Sequence, residues 1–384
     1  MDENKEKLIM KINNRWIYLT EEFIKSHPGG PVITQYRNAD ATHIFHAFHE
    51  GSKKAYKQLE LLKEVNKPLN SFNQIQRDNE NEIIDNDDFV VINYNIPLEK
   101  EKKIVIEFEK LRQFILKLNL ILKLILIRFN DLLSLFFGNF AQGFSRDWWK
   151  DKHNLHHATT NIISRDGDID LSPLLALVPN DLYKQKTLIS NLIIRLIIPY
   201  QYFYFTLMYP LLRISWLIQS ILHSFTSINI YFPLTLFLHW FWVFFQLWLL
   251  PSNFIRIIYF LISQLGAGLF IALVVSYNHN SVSKFPENSG LLNNFAALHI
   301  LTTRNMKSSL FVDWFWGGLN YQIEHHLFPT MPRPNLKKCS LLVKQFCLDT
   351  ELNYLEDDFL TGYFASLKLL YKISKRAINL NSSK

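Results

Sequence analysis

The chain has 384 residues, of which 48% are apolar and 15% aromatic, with 31 Phe and 9 Trp. A mean hydropathy of +0.01 is what a soluble domain joined to a membrane domain gives. The formal net charge is +7, but the Lys and Arg residues flank or interrupt apolar runs, so the basic balance fits a membrane surface and excludes nucleic acid as a partner. Two cysteines, Cys339 and Cys347, exclude a disulfide framework and a cysteine zinc set.

The first 16 residues are polar and lack a signal-peptide core, so the N-terminus is expected to stay in the cytosol. Trp16 to Thr20 reads as a short strand. Thr20 then suits a helix N-cap, with Glu21 and Glu22 in the first turn. Pro28 and the glycines after it must end that helix. A second short helix is expected over Asp40 to His49. The HPGG at 27–30, with Trp16 before it and Asp40-Ala41-Thr42 after it, resembles cytochrome b5. That resemblance implies a small α+β domain over residues 1–75 binding haem b, with His27 and His49 as axial ligands and His43 and His46 at the surface or pocket edge. Two axial imidazoles leave no open position on the iron, so such a haem carries electrons.

A helix over about 55–62 is expected to close this domain. Residues 76–110 are expected to be a linker, with its Asn-, Asp- and Glu-rich part solvated. Residues 96–112 read either as an amphipathic lead-in at the membrane surface or as a plain surface helix. Residues 114–127 are apolar but carry Lys117, Asn119 and Lys123, and charges within a bilayer are costly. That stretch suits the interface or a short span.

His153, His156 and His157 stand at helix positions i, i+3 and i+4, which share one face. His325 and His326 form a second cluster. Neutral imidazoles suit iron, zinc or copper. The acidic run around Asp166, Asp168 and Asp170 reads as a solvent-facing loop near the site. The Trp148–Trp149 pair among basic residues suits a membrane–water boundary. Leu188 to Leu212 reads as a span or as an interfacial or kinked helix. Residues 229–250 and 254–276 each reach the about 20 residues that cross a bilayer. A turn at Pro251-Ser252 makes them a hairpin, which returns the chain to the side it left and lets the clusters meet. His239, mid-span, is expected to be packed or hydrogen-bonded. The small residues Gly266 and Gly268 suit close helix packing. His279 follows the hairpin and is well placed as a further ligand; His299 is a weaker candidate. The residues after 329 are expected to form a polar, helical, cytosolic tail.

GFSRDWWKDKHNLHHATTN (143–161), DGDIDLSP (166–173), YNHNS (277–281) and WFWGGLNYQIEHHLFP (314–329) resemble the membrane fatty-acid desaturases, specifically the front-end type fused to cytochrome b5. The resemblance implies an all-α, multi-span membrane domain over 111–384 with cytosolic histidine boxes. It implies two non-haem irons held by His153, His156, His157, His325 and His326, with His279 as a further ligand. Gln322 is the front-end variant residue of the last box, and Glu324 is expected to hold an imidazole by a hydrogen bond. It also implies an endoplasmic-reticulum enzyme using O₂ and electrons from an NADH-cytochrome b5 reductase. Its substrate is an acyl chain on coenzyme A or phospholipid, desaturated in the Δ5 or Δ6 manner between an existing double bond and the carboxyl end. The chain departs from the family in one respect. No histidine stands between His49 and His153, where the family carries a first box of HDxxH type. A b5-fused sphingoid-base desaturase, a fatty-acid hydroxylase and a catalytically silent haem protein are therefore the alternatives.

Overall fold

The computed structural model describes residues 8–66, 96–118, 132–184, 187–226, 231–287 and 289–382. The solvated run expected over 70–88 and most of the lysine-bearing segment after Leu118 lie outside the described residues.

Strands β1 (Leu8–Ile12) and β2 (Arg15–Leu19) form an antiparallel hairpin with Leu8 opposite Leu19. Its two-residue turn is Asn13-Asn14, both at positive φ, the geometry that matches strand twist. Leu8, Met10 and Ile12 alternate into the core. Helix α1 (Glu21–Ser26) begins as expected, with Thr20 Oγ1 accepting the Phe23 N–H, and stops at His27. A 3₁₀ segment, Gly30–Tyr36, leads to α2 (Thr42–His49), whose first N–H is bonded by Asp40. Helix α3 (Lys53–Leu61) closes the unit.

Helix α4 (Leu98–Lys117) buries Ile104, Phe108, Leu111 and Ile115, spaced four, three and four apart on one stripe. Phe108 meets the rings of Phe295, Phe328 and Phe346. The apolar stripe is therefore covered by protein while the charged face stays outward, which is the plain surface-helix alternative. A π-helical turn, Leu135–Gln142, precedes α5 (Arg146–Ala158), which Ser145 caps at the Trp148 N–H.

Helices α6 (Leu188–Leu196) and α7 (Leu212–Thr226) belong to a stretch bent by 95°, so the kinked alternative is the observed one. Helices α8 (Tyr231–Leu249) and α9 (Asn253–Ser276) are long and apolar enough to cross a membrane. The described residues thus contain two such helices, or three if the bent pair is one span. Phe237, Phe241, Phe244 and Trp248 of α8 face outward, which is stable only against lipid or another apolar surface. Ser252 caps α9 in the predicted hairpin turn. Of the two small residues, Gly268 alone is pressed: a Cβ there would collide with the Pro210 carbonyl, whereas Gly266 has open space.

Helices α10 (Phe295–Leu301), α11 (Leu310–Phe315) and α12 (Gln322–Leu327) follow, with the parallel pair β3 (Asn305–Met306) and β4 (Glu356–Asp357). Helices α13 (Arg333–Thr350) and α14 (Phe359–Ser382) are helical as expected. They are not a free polar tail. Val343, Phe346 and Cys347 of α13 and Leu369, Leu370 and Ile373 of α14 are buried in the core.

Candidate haem cavity and metal centre

The small N-terminal unit encloses an apolar cavity of about 400 Å³, lined among others by Ile17, Phe23, Phe45, Phe48 and Leu59, a usual size for a cofactor site. His27 and His49 face each other across it, with ring centroids 6.0 Å apart. Metal–nitrogen bonds of about 2.1 Å on opposite sides of one iron put two imidazole centroids roughly 6 Å apart. His49 Nδ1–H donates to the Phe45 carbonyl at 2.9 Å, which leaves Nε2 unprotonated for a metal. Burial holds the pKa of both His27 and His49 below the ordinary value. The cavity fits haem with these two ligands. His43 packs on Phe108, and His46 bonds Tyr56 and Asn13; neither lines the cavity.

The cavity is not closed by its own unit alone. Lys150, Asn154 and Ala158 of α5 form part of its wall. Tyr36 O–H donates to the Ala158 carbonyl at 3.0 Å, and Arg165 donates to the Gln35 carbonyl. At Gly30, φ is +68° and a Cβ would sit 3.1 Å from Asp151 Oδ1, so glycine lets the two units approach. Phe48 lines the cavity and meets the His157 ring edge-on at 6.1 Å. One aromatic ring therefore separates the haem cavity from the second site.

That second site brings all six predicted histidines together in two triads, His153/His157/His325 and His156/His279/His326. In the first, the Nε2 atoms stand 3.1, 3.1 and 3.3 Å apart. In the second, His156 Nε2 and His279 Nε2 are 3.4 Å apart. A cation with metal–nitrogen bonds of about 2.1 Å holds neighbouring ligand nitrogens about 3.0 Å apart at right angles and about 3.4 Å apart at tetrahedral angles. Tautomers decide the second triad. His156 Nδ1–H donates to Asp166 Oδ2 at 2.9 Å and His279 Nδ1–H to the Thr302 carbonyl at 3.2 Å. His326 Nδ1 lies 3.2 Å from Thr160 Oγ1, whose own proton goes to the His156 carbonyl. Each Nε2 thus carries a lone pair on the inner side of the triad, with the Gln322 amide 3.2 and 3.3 Å from those of His279 and His326, a donor set able to take a cation. The rings of His157 and His326 stack at 4.1 Å, so the triads are adjacent. The donor set fits two iron ions.

Electrostatics agree. Burial first, then neighbouring imidazoles, push His157, His279, His325 and His326 well below the ordinary histidine pKa, and His153 to about 4. These rings are neutral near pH 7 and able to ligate. His156 goes the other way: burial opposes its charge, but Asp166 and Asp168 outweigh that and raise its pKa.

Three sequence expectations are corrected. Asp166 is not in a solvent-facing loop; it is 1% exposed and anchors His156, while Asp170 alone of the three aspartates pairs outward with Lys184. Glu324 holds no imidazole: it accepts from Asn305 Nδ2 at 2.7 Å and Tyr354 O–H at 2.9 Å, tying α12 to β3 and to the segment after α13. Trp148 and Trp149 pack on Trp216, and Trp149 stacks on His153 at 4.9 Å, so they support the site rather than a membrane boundary. His299 is fully buried beside His326. Gln322 does reach the second triad, with Nε2 3.2 Å from His279 Nε2 and 3.3 Å from His326 Nε2. His239 donates to the Phe140 carbonyl, as a hydrogen-bonded mid-span histidine should. Asp166 and Thr160 escaped sequence reading because nothing in their spacing distinguishes them from loop residues.

A haem module packed against two triads of imidazoles, above helices of membrane length, defines a class: a membrane oxidoreductase pairing an electron-carrying haem with a non-haem iron centre. The comparisons narrow it. The fatty acid desaturase family matches residues 125–357, and the cytochrome b5-like haem/steroid binding domain matches residues 2–72. The Delta(6)-fatty-acid desaturase fat-3 of Caenorhabditis elegans is 47% identical over 439 aligned positions, covering 98% of each chain. The Delta(5) fatty acid desaturase fat-4 of the same organism is 37% identical, covering 99% of this chain and 98% of its own. A Delta(8)-fatty-acid desaturase of Euglena gracilis is 38% identical over 59% of this chain and 55% of its own. No solved structure matches. The chain belongs to the fatty acid desaturase family and carries a fused cytochrome b5 domain. Against fat-3, 439 aligned positions face 384 residues, so at least 55 positions (439 less 384) have no counterpart here.

Proposed function

We propose that this chain is a front-end desaturase that uses O₂ to place a Δ5 or Δ6 double bond in a polyunsaturated acyl chain. The single observation that carries the reading is the pair of convergent imidazole triads set one aromatic ring from the haem cavity. Iron bound there would supply the oxidation of an unactivated C–H bond by O₂. The chain's own part is positional. Asp166, Thr302 and Thr160 fix three rings with Nε2 inward. The Tyr36–Ala158 and Arg165–Gln35 hydrogen bonds hold the electron-carrying domain at the site, and a tethered donor works at high effective concentration.

We divide the chain into a cytochrome b5-like unit (1–75), a linker (76–110) and a membrane desaturase domain (111–384), with the end of the linker from Leu98 folded onto the desaturase domain as the first part of α4. The open end of the α8–α9 hairpin supports a common side for the boxes. Thr235, in the first turns of α8, bonds Asn139, which in turn accepts the Arg146 N–H of α5, and His279 lies just beyond α9. We assign that side to the cytosol and the membrane to the endoplasmic reticulum. The partners are an NADH-cytochrome b5 reductase and an acyl chain on coenzyme A or phospholipid.

A second reading, a haem-bearing protein without catalysis, is favoured by one observation: no histidine lies between His49 and His153, and at least 55 positions of fat-3 are missing. Expression in yeast fed defined polyunsaturated acids, with mass spectrometry of the products, separates the two. A new double bond on the carboxyl side of an existing one is expected. Fewer than one non-haem iron per purified chain, with no product, establishes the silent reading.

A further inference from the structure

Asn161 follows α5 in the loop that leads to Asp166. It is fully buried, with φ at +55°. That left-handed backbone suits glycine, asparagine or aspartate and strains other side chains. Its backbone N–H donates to Asp166 Oδ2 at 2.8 Å. Its side-chain Nδ2 lies 3.0 Å from the His279 carbonyl oxygen, 3.2 Å from that of Ser283 and 3.3 Å from that of Thr302. Oδ1 has no hydrogen-bond partner among the described residues. The reverse amide orientation would set Oδ1, an acceptor, against those carbonyl oxygens, so the N–H donors are the atoms that face them.

Two of these contacts bear on the second triad. Asp166 Oδ2 also accepts the His156 Nδ1–H, and the Thr302 carbonyl also accepts the His279 Nδ1–H. Asn161 thus bonds both of the acceptors that orient these rings, and the backbone of His279 as well. His156 and His279 lie 123 residues apart in the chain, and one buried residue spans the join between them. None of these bonds goes to His153, His157 or His325. Of the residues that tolerate this backbone, only asparagine carries side-chain N–H donors; glycine has none, and an ionised aspartate only accepts.

We propose that Asn161 is a positioning residue of the metal centre, setting the His279 ring against His156 for the cation that the second triad takes. This role rests on the desaturase reading of the two triads. Asn161 need not touch the cation; it acts through Thr302, Asp166 and the His279 backbone.

The test uses the full-length holoprotein loaded with ⁵⁷Fe, comparing wild type with Asn161→Gly and Asn161→Asp. Asn161→Gly keeps the backbone conformation and the N–H to Asp166 but removes the amide. Asn161→Asp keeps size and backbone tolerance but turns the donor into an acceptor. The haem Soret band and a cooperative melt in detergent are the folding controls. In wild type, two non-haem irons per chain are expected. In both variants, the Mössbauer quadrupole splitting of one iron should change and that of the other should not. Bipyridine should release the changed iron at about tenfold or more lower concentration. If Asn161→Gly does not melt cooperatively, Asn161→Asp decides alone. Unchanged splittings and release in a folded variant overturn this role and leave the desaturase reading standing. So do two irons altered alike, or loss of the melt in both variants, since Asn161 would then brace the whole fold. Wild type without non-haem iron overturns both.

Discussion

Asp166 shows how much of the metal site depends on a residue that need not touch a metal. Its carboxylate accepts a hydrogen bond from His156 Nδ1–H and also from the backbone N–H groups of Asn161 and Asp168. One side chain thereby fixes a ring's tautomer, its direction and the loop that follows α5. Asp166→Asn should keep the haem spectrum and lower non-haem iron affinity by roughly 10–100-fold, the usual cost of removing such a support; chelator competition measures it. The ligands themselves were legible in the chain, because three histidines at i, i+3 and i+4 can only share a helix face. Asp166 was not, since a carboxylate ten residues from His156 reads the same whether the loop folds back or away.

At the scale of elements, the two spans were readable from length and apolarity, and their packing was not. Gly268 sits where α9 crosses the segment around Pro210, with the carbonyl occupying the space a Cβ would need. Gly268→Val should force these elements apart and destabilise the membrane domain by about 1–3 kcal/mol or more, whereas Gly266→Ala, in open space, should be nearly neutral. Thermal unfolding in detergent distinguishes the two. Helix α4 makes the same point in reverse. Its charged, amphipathic sequence suits a membrane surface or an aqueous one equally, and only the facing rings of Phe295, Phe328 and Phe346 show that protein covers its apolar stripe.

Across the whole molecule, the two units are joined by specific contacts as well as by a tether. Arg112 of α4 bonds Glu50 of the haem unit at 2.6 Å and is held by Glu109. Partial burial would raise the Glu109 pKa, but bonds from Arg112 and Gln113 outweigh it and hold it at about 2. A carboxyl depressed by folding stabilises fully above its ordinary value near 4.5 and loses that contribution as pH falls towards 2. Glu109→Gln should therefore flatten the loss of stability between about pH 4.5 and 2, read from melting temperatures of the two proteins across that window. The effect will be modest because the pair is partly solvated. Lys150 tests the docking directly. It belongs to the desaturase domain yet lines the haem cavity. Lys150→Glu should make the haem midpoint potential more negative, on the order of tens of millivolts, since an anion nearby favours the ferric state. A potentiometric titration that shows no shift would place α5 away from the haem.

Sequence by itself determined the kinds of parts: a haem-binding unit from HPGG and its flanks, apolar helices from their length, and ligand types from histidine spacing. These are local properties, set by periodicity and side-chain chemistry within a few turns of chain. Only the tertiary structure decided which distant atoms share a point. It paired His153 with His325 and His156 with His279, turned Asp166 inward and Glu324 away, and left His299 buried with no hydrogen-bond partner among the described residues. Convergence of nitrogens to within 3.1–3.4 Å depends on how helices cross, and crossing is settled by packing between residues far apart in the chain.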